Sequence, residues 1–253
     1  MQRHSKVEIK KDTVIKTASP ELMRVEVEKT RRAHKIAEDC GLFRVPEVLD
    51  YDEVRGIAVF ERLNGIVPIC DAVSWGEEYN MVADKLGKTL AIIHRKLILP
   101  SDMIVHLPTS LQFSGNEVFL HGDYNGSNVS VDIKNNKLVI LDWQMTARHG
   151  GRATYGTRYF DVIWFINYML WLPTIKYLFS NPVNKVAQQF LTSYFHEAQN
   201  NYNAEQFDAY VNNFFAVKKE SRKINANWRT RYLLPRCQKL TEKFLKSLTP
   251  QNY

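Results

Sequence analysis

Between Val118 and Trp143 the sequence reads VFLHGDYNGSNVSVDIKNNKLVILDW, and three of its residues carry oxygen atoms at a spacing that suits phosphoryl transfer. Asp123 follows an apolar run on a loop, Asn128 comes five residues later, and Asp142 closes the second strand of the next hairpin. Moving a phosphoryl group needs a carboxylate that orients the acceptor hydroxyl and takes its proton. It also needs hard oxygen ligands for magnesium, which neutralises phosphate charge that side chains alone leave uncovered. Asp123 suits the first task, and Asn128 with Asp142 the second. The five-residue step puts Asp123 and Asn128 at opposite ends of one loop, and the intervening strands return Asp142 beside them.

These residues need a frame, and the pattern of the chain predicts one. Lys6 to Thr17 reads as a hairpin, with two alternating β-branched runs around Lys11-Asp12. Pro20 opens a helical pattern that runs to about Asp39 and is stopped by Gly41. Val45 to Leu49 and Ile57 to Leu63 read as strands, and Asn64-Gly65 marks a boundary between lobes of residues 1–63 and 64–253. Glu77 to about Leu97 reads as an amphipathic helix, followed by short strands at Val118–Leu120, Val129–Asp132 and Lys137–Leu141. From Asp161 onward the pattern is helical. The expected class is α+β, a small antiparallel β-rich lobe followed by a larger, mostly helical one. Val162 to Ile175 is 14 apolar-rich residues ending near a proline, short of the roughly 20 that span a bilayer, so it reads as a buried helix.

His121-Gly122-Asp123, four residues, Asn128, and then Leu141-Asp142-Trp143 resemble the aminoglycoside phosphotransferase/choline kinase family, small-molecule relatives of the protein kinases. The resemblance implies a two-lobed protein-kinase-like fold using ATP and Mg2+, with Asp123 as the catalytic base and Asn128 and Asp142 as metal ligands. Val14-Ile15-Lys16 resembles the strand whose lysine contacts the α/β-phosphates. Glu28 in the following helix is its expected ion-pair partner, although Glu26 lies two residues away and helix phase does not settle the choice. Phe60-Glu61-Arg62-Leu63 resembles the hinge, whose backbone at Glu61 and Leu63 would bond adenine. His121 and Asp161 are expected as structural braces of the catalytic loop, and His94 as a structural residue. Gly87-Lys88-Thr89 copies the end of a P-loop signature, but Val82 stands where its first glycine belongs and the segment lies mid-helix, so that reading is rejected.

Two departures shape the expected function. No glycine precedes Gly41, so the N-terminal lobe looks shortened and lacks a glycine-bearing loop over the phosphates. A catalytically weak nucleotide-binding scaffold, a pseudokinase, is therefore the alternative to an active enzyme. The segment after Asp142 carries Arg148, Arg152 and Arg158, candidates for an anionic acceptor because guanidinium pairs bidentately with phosphate or carboxylate. Net charge is +7, and from Met145 onward fifteen Lys/Arg face six Asp/Glu. A basic helical lobe ranks cationic acceptors such as choline or aminoglycosides low and favours a hydroxyl of a sugar, glycan or anionic small molecule. Trp164, Tyr168, Trp171 and Tyr177 are candidates for stacking on sugar faces, with core packing the favoured use for most. Three dispersed cysteines and a polar N-terminus point to a reduced, cytoplasmic setting. The basic C-terminal region offers a contact with the anionic inner membrane face, while the lack of a base-reading motif disfavours nucleic acid.

Overall fold

Alternating β-branched residues on either side of Lys11-Asp12 form the expected hairpin in the computed structural model, which describes residues 5–72, 79–146, 151–170, 181–199, 203–222, 239 and 241–247. Strands β1 (Lys6–Ile9) and β2 (Thr13–Thr17) pair antiparallel with Val7 opposite Lys16. They continue through β5 (Ile57–Glu61) to β4 (Val48–Asp52), giving the order β1-β2-β5-β4. The strand expected from Val45 starts three residues later because Pro46 has no N–H to donate to a ladder.

Helix α1 (Pro20–Cys40) starts on its proline and ends at Gly41, which takes the left-handed conformation and donates its N–H to Ala37 O. Its first half packs Met23 and Val27 on Ala58 and Phe60 of the sheet. Its second half packs Ala33, Ile36 and Ala37 into the large core of the helical lobe. One helix is thus anchored in both hydrophobic cores, and Glu26, Lys29 and Thr30 in its middle face the space between them.

A second sheet carries the hairpin that runs from Asn128 to Asp142. Strands β3 (Phe43–Arg44), β6 (Ile66–Pro68), β8 (Val129–Asp132) and β9 (Lys137–Ile140) lie in the order β3-β9-β8-β6, with β3 parallel to β9. This sheet draws β3 from before Asn64-Gly65 and its other strands from after it. Strand β7 (Glu117–Phe119) pairs with β10 (Tyr155–Thr157) and leads into the catalytic loop.

The helical lobe contains α2 (Ile69–Ala72), α3 (Tyr79–Lys96), α4 (Tyr159–Leu170), α5 (Asn181–Glu197) and α6 (Ala204–Arg222). The apolar run after Asp161 forms α4 as far as Leu170, its part at 171–175 lying outside the described residues, and this helix is buried nearly all round, as a helix without a polar face must be. Among the described residues no helix is long and apolar enough to cross a membrane. Helix α3 crosses α5 so closely that a Cβ on Gly87 would lie 2.3 Å from Phe190 O and 2.1 Å from Ser193 Oγ. The glycine of the Gly87-Lys88-Thr89 look-alike therefore serves helix packing.

Candidate active site

The loop from His121 to Asn128 is held first through its backbone. Gly122 sits at φ 90, and a Cβ there would come within 2.8 Å of Met145 Sδ and 3.0 Å of its Cα. Asp161, in the first turn of α4, accepts the N–H groups of His121 at 2.8 Å and Gly122 at 2.9 Å. The same carboxylate meets His94 Nε2 at 3.0 Å, and His94 Nδ1 meets the Tyr194 hydroxyl at 2.7 Å. Burial alone would raise the Asp161 pKa, but bonds from His94 and the Gly122 amide outweigh it and keep the carboxylate ionised. His121 accepts the Asp123 N–H at 3.2 Å and lies 4.5 Å from the Trp143 ring, centroid to centroid. Burial lowers its pKa to about 3, so it is a neutral strut at ordinary pH.

Asp123 is the most heavily engaged carboxylate of the loop. Its Oδ1 accepts Trp164 Nε1–H at 2.7 Å and Asn125 Nδ2–H at 2.9 Å. Its Oδ2 accepts Asn128 Nδ2–H at 3.0 Å. Burial pushes its pKa up to about 6 even though all three donors favour the charged form. Asn125 shapes the loop further, its Oδ1 accepting the N–H groups of Ser127 at 2.8 Å and Asn128 at 3.2 Å.

Asp142 lies at φ 56, a left-handed conformation costly for a non-glycine residue and typical of functional sites. Its Oδ1 accepts Lys16 Nζ–H at 2.8 Å, so the last strand of the hairpin reaches the lysine of the other lobe. The second partner of Lys16 corrects the expected one. Glu26 Oε1 lies 2.5 Å from Lys16 Nζ, whereas Glu28 is turned to Arg32, one turn on, at 2.6 Å. Residues two positions apart in a helix lie about 200° apart around the axis, so only one of the pair can face the cleft. Burial draws the Lys16 pKa down, but Glu26 and Asp142 more than restore it and hold the proton above the ordinary lysine range. From the same face of α1, buried Lys29 donates to the backbone carbonyl of His121 at 2.6 Å. Its pKa is lowered by burial to about 8.

Lys16, Glu26, Asn128 and Asp142 line a cleft of about 360 Å³, whose apolar walls include Val14, Phe60, Leu141 and Trp143. Glu61 and Leu63 also line it. The Glu61 N–H bonds Glu47 O at 2.9 Å and the Arg62 N–H bonds Asp12 O at 3.1 Å. Arg62 Nη1 also donates to Lys10 O at 2.7 Å, fixing the β1–β2 turn beside this segment.

The arginines expected at the acceptor face other partners. Arg152 pairs with Glu21 on α1 at 3.0 Å, exposed to solvent. Arg158, just before α4, has its guanidinium near the buried Tyr194 hydroxyl and favours its ionised form. Arg148 lies outside the described residues, as do Trp171 and Tyr177. Of the other aromatics, Trp164 bonds Asp123, and the Tyr168 hydroxyl meets Ser127 Oγ at 2.5 Å. Most of the basic C-terminal run lies outside the described residues. Its first member, Lys218, is buried and bonds Asn167 Oδ1 at 2.9 Å.

Sequence reasoning missed three contributors: Asn125, Lys29 and the Trp164 bond to Asp123. The Asp161-x-x-Trp164 spacing was the available signal for the last, since residues three apart share one helix face.

Comparisons with known proteins bear on the fold and on part of the sequence. The model of a family described as "Phosphotransferase enzyme family" matches residues 97–199, which include Asp123, Asn128, Asp142 and Asp161. A choline/ethanolamine kinase family protein from Mesorhizobium loti superposes with a TM-score of 0.60 at 13% identity, covering 97% of this chain and 90% of the other. A glucosamine kinase solved with glucosamine, ADP and inorganic phosphate gives 0.60 at 12% identity, over 96% and 79%. The ADP-bound aminoglycoside phosphotransferase APH(2'')-Ib gives 0.57 at 12% identity, over 98% and 92%. No curated protein matches the sequence. At these identities the likeness is one of fold.

Proposed function

We propose that this chain, which has the protein-kinase-like fold of the aminoglycoside phosphotransferases and choline kinases, transfers the γ-phosphate of ATP to a hydroxyl of a small molecule or glycan. The observation that carries the reading is the convergence of Lys16, Asn128 and Asp142 on one cleft, with Asp123 bonded to Asn128 at its edge. Phosphotransferase similarity over residues 97–199 and an ADP-bound structure of the same fold support it.

The residues have the chemistry to hold magnesium. Asp142 and Asn128 offer a carboxylate and an amide oxygen, hard donors of the kind Mg2+ takes. Among the described residues no cluster of three or more His, Cys, Asp or Glu forms. Bound there, the metal would supply charge neutralisation at the phosphates.

The chain's own residues would do the rest. Adenine lies between the apolar walls, bonded by the backbone at Glu61 and Leu63. Lys16, held by Glu26, bonds the α/β-phosphates. Asp123 accepts the acceptor's hydroxyl proton as the new O–P bond forms and the bond to the β-phosphate oxygen breaks, releasing ADP. Residues 1–63 thus supply most nucleotide contacts, and residues 64–253 the loop and the acceptor site. With Arg152 tied to Glu21 and Arg158 to Tyr194, preference for an anionic acceptor loses two of its supports. A sugar-like hydroxyl acceptor remains the reading the site favours.

A second reading, a nucleotide-binding scaffold, is favoured by one observation. The β1–β2 turn is fastened by Arg62 beside the Glu61–Leu63 segment, away from Lys16, and so does not cover the phosphates. Transfer of radiolabelled γ-phosphate from ATP to a panel of sugars, nucleosides, lipid-linked glycans and aminoglycosides separates the two. The enzyme reading expects labelled acceptor, lost by roughly 100-fold or more in Asp123→Asn with MgADP binding retained. Full activity in that variant would overturn the role of Asp123. Binding of MgATP without transfer to any acceptor would establish the scaffold.

A further inference from the structure

We propose that Trp164 is a positioning residue for the transfer: its indole N–H locks the Asp123 carboxylate in the orientation that leaves Oδ2 open to the acceptor hydroxyl. This rests on the reading of Asp123 as the base. Oδ1 carries two N–H bonds, from Trp164 at 2.7 Å and Asn125 at 2.9 Å, while Oδ2 carries one, from Asn128 at 3.0 Å. An ionised carboxylate offers about four lone-pair sites. The Trp164 bond therefore distinguishes the two oxygens and turns the freer one away from α4.

The indole is well suited to such a lock. It is a donor that can never accept, so it cannot exchange roles with the carboxylate or take the proton itself. It is also clamped. Trp164 is buried, its ring lies nearly parallel to Phe160 at 8° and 6.4 Å, and Phe214 closes on it at 6.5 Å. The Lys218 ammonium sits 5.7 Å from the ring centroid, an arrangement that favours a fixed ring. One turn earlier on the same helix, Asp161 bonds the backbone of His121 and Gly122. Helix α4 thus grips the His121-Gly122-Asp123 tripeptide twice, by its backbone through Asp161 and by its reacting side chain through Trp164. Rotating or removing the second grip frees the carboxylate to turn without disturbing the first.

Trp164→Phe in the full chain is the test, since it keeps an aromatic ring in the clamp and removes the N–H. Turnover is read as phosphate transfer to the acceptor found in the panel, or to water. The expected result is a fall in kcat of roughly tenfold or more, as loss of orientation costs rate rather than binding. The KM for ATP, the affinity for MgADP and the melting temperature stay within error of wild type. In the ¹⁵N spectrum of the wild type, the Trp164 indole resonance, assigned by its loss in Trp164→Phe, should move upfield in Asp123→Ala. An active wild type with an unaffected Trp164→Phe variant sinks the proposal and leaves the reading of Asp123 standing. So does a fall in kcat matched by equal losses of MgADP affinity and melting temperature, or an indole resonance that ignores Asp123→Ala. A wild type that transfers phosphate to nothing, water included, sinks both.

Discussion

Lys16 and Glu26 meet at 2.5 Å across the gap between β2 and α1, and this ion pair, closed on its other side by Asp142, joins the two lobes at the cleft. Glu26 is buried on the helix face that looks into the cleft, and Glu28 is not.

Glu26→Gln should therefore disable the nucleotide site while Glu28→Gln leaves it intact. Breaking a buried ion pair costs about 3–5 kcal/mol when nothing replaces the lost partner. Asp142 remains at 2.8 Å from Lys16, so the lower end of that range is expected, together with weaker MgATP binding. Glu28 pairs with Arg32 on the partly exposed side of the helix, and such i,i+4 pairs are worth about 0.3–0.5 kcal/mol. Titration of MgATP binding alongside thermal melts of both variants decides the matter, and similar losses in the two would refute the assignment.

The pH dependence of turnover should report Asp123. Burial raises its pKa to about 6, and a base works when deprotonated, so kcat/KM should climb with pH, reach half its maximum at about 6 and level off about one unit higher. A side chain with an ordinary aspartate pKa would be half-maximal near pH 4 and level by about pH 5. The profile of kcat/KM is the right measurement because it reflects the free enzyme. A flat profile from pH 4.5 to 8 contradicts the role.

Local spacing made the loop legible in the sequence: His121-Gly122-Asp123, Asn128 and Asp142 are tied by a turn and a hairpin whose lengths fix their meeting. The α+β class and most elements were legible for the same reason, through period-2 runs, Pro20 and Gly41. What stayed hidden depends on how elements dock. Glu26 and Glu28 differ only in which side of α1 faces the cleft, and that is set by Met23 and Val27 packing on Ala58 and Phe60. Helix α4 is apolar nearly all round, so only the three-residue step from Asp161 could mark Trp164 for the loop. Arg158 reads in the sequence as an acceptor contact, but it stands just before α4 beside the buried Tyr194 hydroxyl.

Lys29 should make folding stability depend on pH in the alkaline range. Its pKa falls from 10.5 in the unfolded chain to about 8 in the fold, chiefly through burial. Between those values the unfolded chain binds more protons than the folded one, so stability rises with pH there. A shift of this size corresponds to up to about 3 kcal/mol. Lys29→Met should abolish that rise, seen by denaturant unfolding at pH 7.5, 8.5 and 9.5. Parallel curves for the two proteins would show that Lys29 does not titrate in this window.

Gly87→Ala sets two effects of known size against each other. Replacing glycine by alanine inside a helix ordinarily gains about 1 kcal/mol. Here the new methyl would lie 2.3 Å from Phe190 O and 2.7 Å from Tyr194 N, backbone atoms that cannot swing aside. Overpacking of that kind costs about 1–3 kcal/mol or more, so packing should win and the protein should melt several degrees lower. The consequence reaches the active site. Helix α3 also carries His94 and α5 carries Tyr194, and their 2.7 Å contact backs the Asp161 carboxylate that holds the catalytic loop. Forcing the helices apart at Gly87 should loosen that brace, lowering kcat as well as melting temperature. If Gly87→Ala instead melts at or above the wild-type temperature with unchanged kcat, α3 and α5 do not cross this closely in solution.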